Sequence, residues 1–312
     1  YKTIVPVVGA ASAFVQSIVE GFGGKYYDMR NYRYAHSTVM KDVTSIISDV
    51  GDINYNSQVN RLTRILGFES PFDITETIGQ SKIRRSLSSP GFLLYRVSDY
   101  LPKVISSVAV ADNYRLVEVL NDNNETEYKF INKNTYFNVY KLQERNNSPY
   151  FVDKSELEKS WNELPSFAKT YYVNDKNEIS FKNQGKIINI EETIVKISQD
   201  TRQVYTNFTG NLEKSDKPYM YDYPELQFLG LHKGWLFNAM GVWFKKDRIN
   251  ITSGQYERGL AFELFSNKSK FFVGLITGAT SLANDDTLND NQRYALRKSI
   301  MLTYMTLGSI AL

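Results

Sequence analysis

Cysteine is absent from this chain of 312 residues, and only two histidines occur in it. The lack of cysteine excludes structural disulfides, thiolate zinc sites and cysteine nucleophiles within the sequence. The two histidines, His36 and His232, lie far apart, and neither belongs to a cluster of residues with metal-ligand spacing. We therefore expect no catalytic triad, no metal centre and no bound cofactor.

Strong net charge and long uninterrupted apolar runs are also missing. The net charge of +3 gives no case for a polyanion that binds over the whole surface. The segment nearest to a membrane span, residues 4–24, contains Gln16 and Glu20 and ends in glycines. A spanning helix needs roughly 20 nearly uncharged apolar residues, so this segment does not favour a membrane partner.

Aromatic residues, in contrast, are abundant, with 22 Tyr and 18 Phe. Tyrosine combines a large apolar ring with a polar tip and therefore suits interfaces. The same enrichment arises from codon bias in an AT-rich genome, which raises Tyr, Phe, Asn, Lys and Ile together. The composition leaves both explanations open.

Hydrophobic periodicity predicts a mainly α protein with a small antiparallel β insertion, an α+β fold of irregular multi-helix architecture. We expect a helical region at 1–112, a β-meander at 113–145 and a second helical region at 150–312. Within these regions the patterns predict helices at 7–19, 37–50, 58–66, 92–111, 189–208 and 254–265, and a last helix that includes 296–311. Alternating segments predict strands at 115–120, 126–131 and 136–142.

One short segment combines tyrosines with basic residues in a way that fits binding of single-stranded nucleic acid. Bases can stack on tyrosine rings while arginine and lysine pair with phosphates. The alternative is a tyrosine-rich connector that lies on another domain or subunit, which the small net charge favours. The candidate contact residues are Lys25, Tyr26, Tyr27, Arg30, Tyr32, Arg33 and Tyr34.

A pair of acidic residues, Asp285 and Asp286, precedes the last predicted helix. Acidic side chains near a helix N-terminus stabilise it through the helix dipole. No full set of metal ligands surrounds the pair, so we predict this helix-stabilising role for it.

The block from residue 222 to residue 265 resembles the very large virion-packaged proteins of crAss-like phages that infect gut Bacteroidales. The resemblance rests on a His-Lys-Gly-Trp core followed by a Tyr-Glu-x-Gly element. These two elements comprise His232, Lys233, Gly234 and Trp235, then Tyr256, Glu257 and Gly259. In that family the large proteins travel inside the particle and enter the host through the tail, and some form the virion RNA polymerase. The spaced aspartates of such a polymerase do not occur in this sequence, so we predict no catalytic residues.

The resemblance implies a structural or cargo protein carried inside the capsid or tail lumen and delivered to the host cytoplasm on infection. Its expected partners are other virion proteins of the portal, tail or muzzle type, contacted in multiple copies. Two alternatives stay open: a non-catalytic segment of a packaged RNA polymerase, and a membrane-interacting ejection protein that uses the helix within residues 4–24. The chain starts at Tyr1 without an initiator Met and stops at Leu312 inside an apolar run, so we expect it to belong to a longer polypeptide.

Overall fold

The computed structural model describes residues 4–48, 57–67, 90–120, 126–137, 154–173, 179–181, 190–209, 243–246, 248–249, 256–285 and 287–311. This part of the chain is mostly helical and contains short antiparallel strand pairs. The predicted mainly α class with a small β insertion is therefore confirmed.

The helices carry most of the described residues. They are α1 (Ile4–Gly23), α2 (Met29–Ser48), α3 (Gln58–Ile65), α4 (Pro90–Asp112), α5 (Lys154–Glu163), α6 (Phe167–Thr170), α7 (Glu191–Thr209), α8 (Leu260–Ser266), α9 (Lys268–Thr277) and α10 (Asp290–Ala311), with a 3-10 helix (Ala279–Asn284) between the last two. The antiparallel strand pairs are β1 (Tyr114–Leu120) with β2 (Thr126–Asn132), β3 (Tyr171–Val173) with β4 (Ile179–Phe181), and β5 (Arg248–Ile249) with β6 (Tyr256–Glu257).

Residue contacts divide the chain into two units. The first unit joins residues 1–29 to residues 199–312, and the second comprises residues 30–198. The predicted limits near residues 113 and 145 rest on changes in sequence pattern and stay a prediction.

The third predicted strand, 136–142, is wrong at its start. Residues 133–137 form a helical turn, and residues 138–142 lie outside the described part. The Asn132 side-chain oxygen accepts hydrogen bonds from the Thr135 amide at 2.8 Å and from the Thr135 hydroxyl at 2.9 Å. This local capping by asparagine turns the chain out of the extended conformation as soon as β2 ends.

The predicted helix at 254–265 is also wrong in its first half, because Tyr256 and Glu257 belong to β6 and α8 begins at Leu260. Gly259 explains the late start. Its extended backbone (φ −60°, ψ 151°) places its amide 2.9 Å from the Lys245 carbonyl. A Cβ on Gly259 would lie 2.6 Å from the Trp243 carbonyl oxygen, so the close backbone approach requires glycine.

The larger core cluster of the first unit lies where α8, α9, the 3-10 helix and α10 meet. Gly274 of α9 allows this approach, since an added Cβ would lie 2.6 Å from Ile300 Cδ1 and 2.8 Å from Leu282 Cδ1. Its buried members are Phe271, Leu282, Leu288, Leu296 and Ile300. Burial of each such side chain contributes about 1.5–3 kcal/mol to stability. Leu296 and Ile300 belong to α10, so this helix packs against α9 and the 3-10 helix through the cluster.

A second core cluster lies within residues 30–198, where β1 meets α5. Trp161 packs with Val117 and Tyr136, and its ring centre is 4.9 Å from that of Tyr136. Arg115 of β1 donates hydrogen bonds to the carbonyls of Trp161 and Asn162 at 2.9 Å. The guanidinium thereby caps the carbonyl end of α5 and fixes that helix to the strand.

Candidate functional site

A buried group of charged and polar side chains joins α1 to α10 within the first unit. Glu20 of α1 and Lys298 of α10 form an ion pair, and they are 1% and 2% exposed. Tyr294 donates its hydroxyl proton to Glu20 Oε2 at 2.6 Å and accepts a hydrogen bond from Lys298 Nζ at 3.1 Å. We call these three residues the charge cluster.

The spacing of the residues explains how the charge cluster forms. Tyr294 and Lys298 are one helical turn apart, so both side chains leave α10 on the same face. An unpaired charge in the interior would cost several kcal/mol. Both Glu20 oxygens accept a hydrogen bond inside the cluster, which satisfies that carboxylate.

Two glycines at the end of α1 bring the helix close to α10. A Cβ on Gly23 would lie 2.6 Å from two carbon atoms of the Tyr294 ring. Gly24 has a positive φ of 74°, and its amide bonds the Glu20 carbonyl at 3.0 Å. Glycine adopts this left-handed end of a helix without strain, so the chain turns directly after the charge cluster.

Lys25 extends the polar network from the charge cluster towards β6. Its ammonium group pairs with Glu257 and donates a hydrogen bond to Asn291 Oδ1 at 2.7 Å. The same ammonium lies 5.4 Å from the centre of the Tyr26 ring and 5.7 Å from that of Tyr294, within the range of a cation–π interaction. Lys25 therefore binds α10, β6 and the turn after α1 together.

A small cleft opens beside this network. Its volume is about 20 Å³, which is room for about one water molecule. Sites for small molecules usually occupy about 300–1,000 Å³, so this cleft is small by comparison. It is lined by Tyr26, Asn207, Glu257, Arg258, Leu260, Asn291, Tyr294 and Ala295. The charge cluster and its surroundings therefore fit a role in holding the helices together.

The first three candidate nucleic-acid contacts lie within the first unit and make contacts there. Lys25 takes part in the network described above, and Tyr26 and Tyr27 are 5% and 1% exposed. The Tyr27 hydroxyl donates a hydrogen bond to the Ser17 carbonyl at 2.7 Å. A base would have to displace these contacts to stack on either ring.

The other four candidates lie on α2, which begins at Met29 rather than at the predicted residue 37. Tyr32 is buried beside His36, with ring centres 6.2 Å apart, whereas Arg30 and Arg33 are exposed. The nucleic-acid hypothesis stays a prediction. Of the seven candidate residues, Arg30 and Arg33 are the ones whose side chains are exposed to solvent.

Tyr34, also on α2, lies under the ammonium group of Lys169, which is 4.7 Å from the ring centre. Burial raises the pKa of Tyr34 above its ordinary value. The hydrogen bond with Thr38 opposes this rise in the pKa, and the nearby Asp112 carboxylate adds to it. This ring is therefore neutral and engaged with Lys169 at physiological pH.

The residues that carry the family resemblance fall in two places. His232, Lys233, Gly234 and Trp235 lie outside the described residues. Tyr256 pairs with Ile249 between β6 and β5, Glu257 binds Lys25, and Gly259 precedes α8. The Tyr-Glu-x-Gly element thus has structural roles at its described positions.

Asp286 lies outside the described residues, whereas Asp285 lies in the loop that leads into α10. The Asp285 carboxylate accepts hydrogen bonds from Lys270 at 2.7 Å, from the Thr287 hydroxyl at 2.5 Å and from the Thr287 amide at 3.0 Å. Asn289 and Gln292 cap α10 through reciprocal side-chain to backbone bonds, and the helix-stabilising role of the acidic pair stays a prediction. The bond from Lys270, followed by that from Thr287, lowers the pKa of Asp285 to about 2.

Sequence patterns did not reveal a solvent-facing apolar surface on α8, α9 and α10. The outer sides of α8 and α9 point away from the core cluster, because Leu264 and Leu275 on their inner sides pack against it. Tyr304 of α10 donates a hydrogen bond to the Leu275 carbonyl at 2.5 Å, which places the end of α10 beside α9. We call the seven exposed apolar side chains of these three helices the apolar face; they are Phe262, Phe265, Phe272, Val273, Ile276, Tyr304 and Leu307.

Comparison with known proteins gives no relative for this chain. No family model, curated protein or solved structure matches it significantly. Among the helices that the structure describes, none has both the length and the hydrophobicity needed to cross a bilayer. The described residues also include no group of three His, Asp or Glu side chains arranged to share a metal ion.

Proposed function

We propose that the chain is a structural or cargo protein of a tailed-phage particle and that it acts through protein–protein contacts. The observation that carries the docking role is the apolar face. Its seven side chains are between 40% and 85% exposed, and Ile276 is the most exposed of them. Soluble monomers rarely expose contiguous apolar patches larger than a few hundred Å², and larger ones mark interaction sites.

The charge cluster supports this role because it shares α10 with the apolar face. One side of α10 presents Tyr294 and Lys298 to Glu20. Leu296 and Ile300 of the same helix pack in the core cluster with residues of α8 and α9. A docking surface needs a fixed scaffold, because ordering mobile side chains on binding lowers affinity. The buried ion pair supplies part of that scaffold.

The particle assignment rests on the resemblance of the His-Lys-Gly-Trp and Tyr-Glu-x-Gly elements to packaged proteins of crAss-like phages. In this proposal the chain lies in the capsid or tail lumen, contacts portal, tail or muzzle components and enters the host cytoplasm on infection. The absence of cysteine agrees with this route, since no disulfide would oppose unfolding in a narrow tail.

Purified particles of the phage that encodes the chain provide the test. Quantitative mass spectrometry would compare the chain with the major capsid protein in particles treated with protease before and after opening. We expect a fixed copy number per particle and protection from protease until the particle is opened. A chain that is absent from particles, or that varies between preparations like a contaminating host protein, would contradict the proposal.

A further inference from the structure

We propose that the apolar face binds the same face of a second copy of this chain, so that two copies form a twofold dimer. The inference rests on the proposed docking role of this surface but not on the assignment to a phage particle. Three properties of the face support a second copy as its occupant: its area, its lack of charge and its exposed aromatic rings.

The area of the face is of the order that one side of a standard interface needs. Aromatic side chains offer roughly 150–250 Å² each, so the four rings of the face at their observed exposures present roughly 300–500 Å². The exposed Val273, Ile276 and Leu307 add to this area. Each partner in a stable protein complex contributes about 800 Å², so two copies of the face would supply a large part of a dimer interface.

The charge distribution favours self-association over a charged partner. Within residues 260–277, Lys268 is the one exposed charged side chain, because Glu263 is buried and Lys270 pairs with Asp285. The exposed part of α10 beyond Ser299 carries no charged residue. A strongly charged face would repel its own copy, whereas a neutral apolar face does not, and homodimer interfaces are the more apolar class.

The exposed aromatic rings also suit a twofold contact. Phe265 of α8 and Phe272 of α9 are 73% and 60% exposed. A twofold axis would place the aromatic rings of one copy beside those of the other. The burial of aromatic rings supplies much of the binding free energy in such interfaces.

Sedimentation equilibrium over a range of protein concentrations tests the inference with two matched variants. Ile276→Glu places a charge on the most exposed position of the face. Val195→Glu places the same charge at a half-exposed position of α7 in the second unit. Circular dichroism melting checks that both variants fold, since neither position is buried.

We expect the wild-type chain and Val195→Glu to reach the mass of two chains, and Ile276→Glu to raise the dissociation constant at least about tenfold. A wild-type chain that stays monomeric up to about 100 μM overturns the inference. So does a dimer that Ile276→Glu leaves unchanged, or a mass that rises past two chains. A monomer that binds anionic phosphatidylserine vesicles through the face would assign it to a lipid surface and also overturn the inference.

The two proposals fail separately. A monomeric chain found at fixed copy number in particles contradicts the dimer and leaves the virion role intact. A dimer that is absent from particles contradicts the virion role and leaves the dimer intact.

Discussion

Glu20 and Lys298 lie 278 residues apart in the chain and form a buried ion pair between α1 and α10. Tyr294 completes the arrangement by donating its hydroxyl proton to the same carboxylate. Because α10 also supports α8 and α9, the pair links the start of the described chain to the apolar face. The stability of this link is open to direct measurement.

We expect Lys298→Met to lower the free energy of unfolding by about 3–5 kcal/mol, because it leaves the Glu20 carboxylate buried without its cation. The double variant Glu20→Leu with Lys298→Met should recover most of this loss, since no charge then stays in the interior. Urea unfolding followed by circular dichroism measures both values.

Lys196→Met is the matched control for that comparison. Lys196 pairs with Glu192 one turn away on the exposed side of α7. Exposed pairs of this kind contribute little to stability, so the control should lower the free energy of unfolding far less than Lys298→Met does. Equal losses for Lys196→Met and Lys298→Met would show that the charge cluster is not a buried link.

Replacement of Gly23 tests the close approach of α1 to the Tyr294 ring. Gly23→Ala places a Cβ within 2.6 Å of two ring atoms, and we expect a loss of about 1–3 kcal/mol as the ring is displaced. Gly308→Ala is the control, because a Cβ there has no neighbour within 4 Å and alanine favours the helix. Thermal unfolding should show a lower Tm for Gly23→Ala and an unchanged or higher Tm for Gly308→Ala. A lower Tm for both variants would contradict the close contact between Gly23 and the Tyr294 ring.

Asp285 should titrate with a pKa of about 2 in the folded chain. The folded pKa is depressed, so the stabilising contribution is present above the ordinary pKa of aspartate, about 3.9, and is lost as pH falls towards 2. Carbon NMR of the carboxyl group measures this pKa directly. Lys270→Met should return the pKa towards the ordinary value, and a wild-type pKa near 3.9 would contradict the described contacts.

Binding of single-stranded oligonucleotides tests the tyrosine-rich segment. We expect only weak binding, because the rings of Tyr26, Tyr27 and Tyr32 are buried and are not accessible for stacking on bases. Fluorescence anisotropy at two salt concentrations measures the affinity. A drop in affinity for Arg30→Ala with Arg33→Ala, together with a smaller salt slope, would restore the nucleic-acid hypothesis.

Long helices with one apolar side could be predicted from the sequence. The pattern at 189–208 gives nearly the observed α7, Glu191–Thr209, because Ile190, Ile197 and Val204 recur on one face and are buried. The pairing of β1 with β2 also follows from alternation on either side of an asparagine-rich sequence. These elements follow from the local pattern of apolar and polar residues along the sequence.

The candidate site depends on contacts between distant residues, which a single sequence does not contain. Lys298 has the pattern of a solvated helix position, and Gly23 that of a helix stop. Their partners, Glu20 and Tyr294, become visible only when α1 meets α10. The apolar face is hidden for another reason: α8 and α9 carry apolar residues on both sides, so periodicity does not separate the core side from the exposed side.

In our proposal, the apolar face is the surface by which the chain docks inside the particle. The most direct measurement places a photo-cross-linking amino acid at Ile276 in the assembled particle, with Val195 as the reference position. We expect a covalent adduct with a second copy or another virion protein at Ile276 and none at Val195. Particles that contain the chain but show no adduct at Ile276, or equal adducts at both positions, would contradict it.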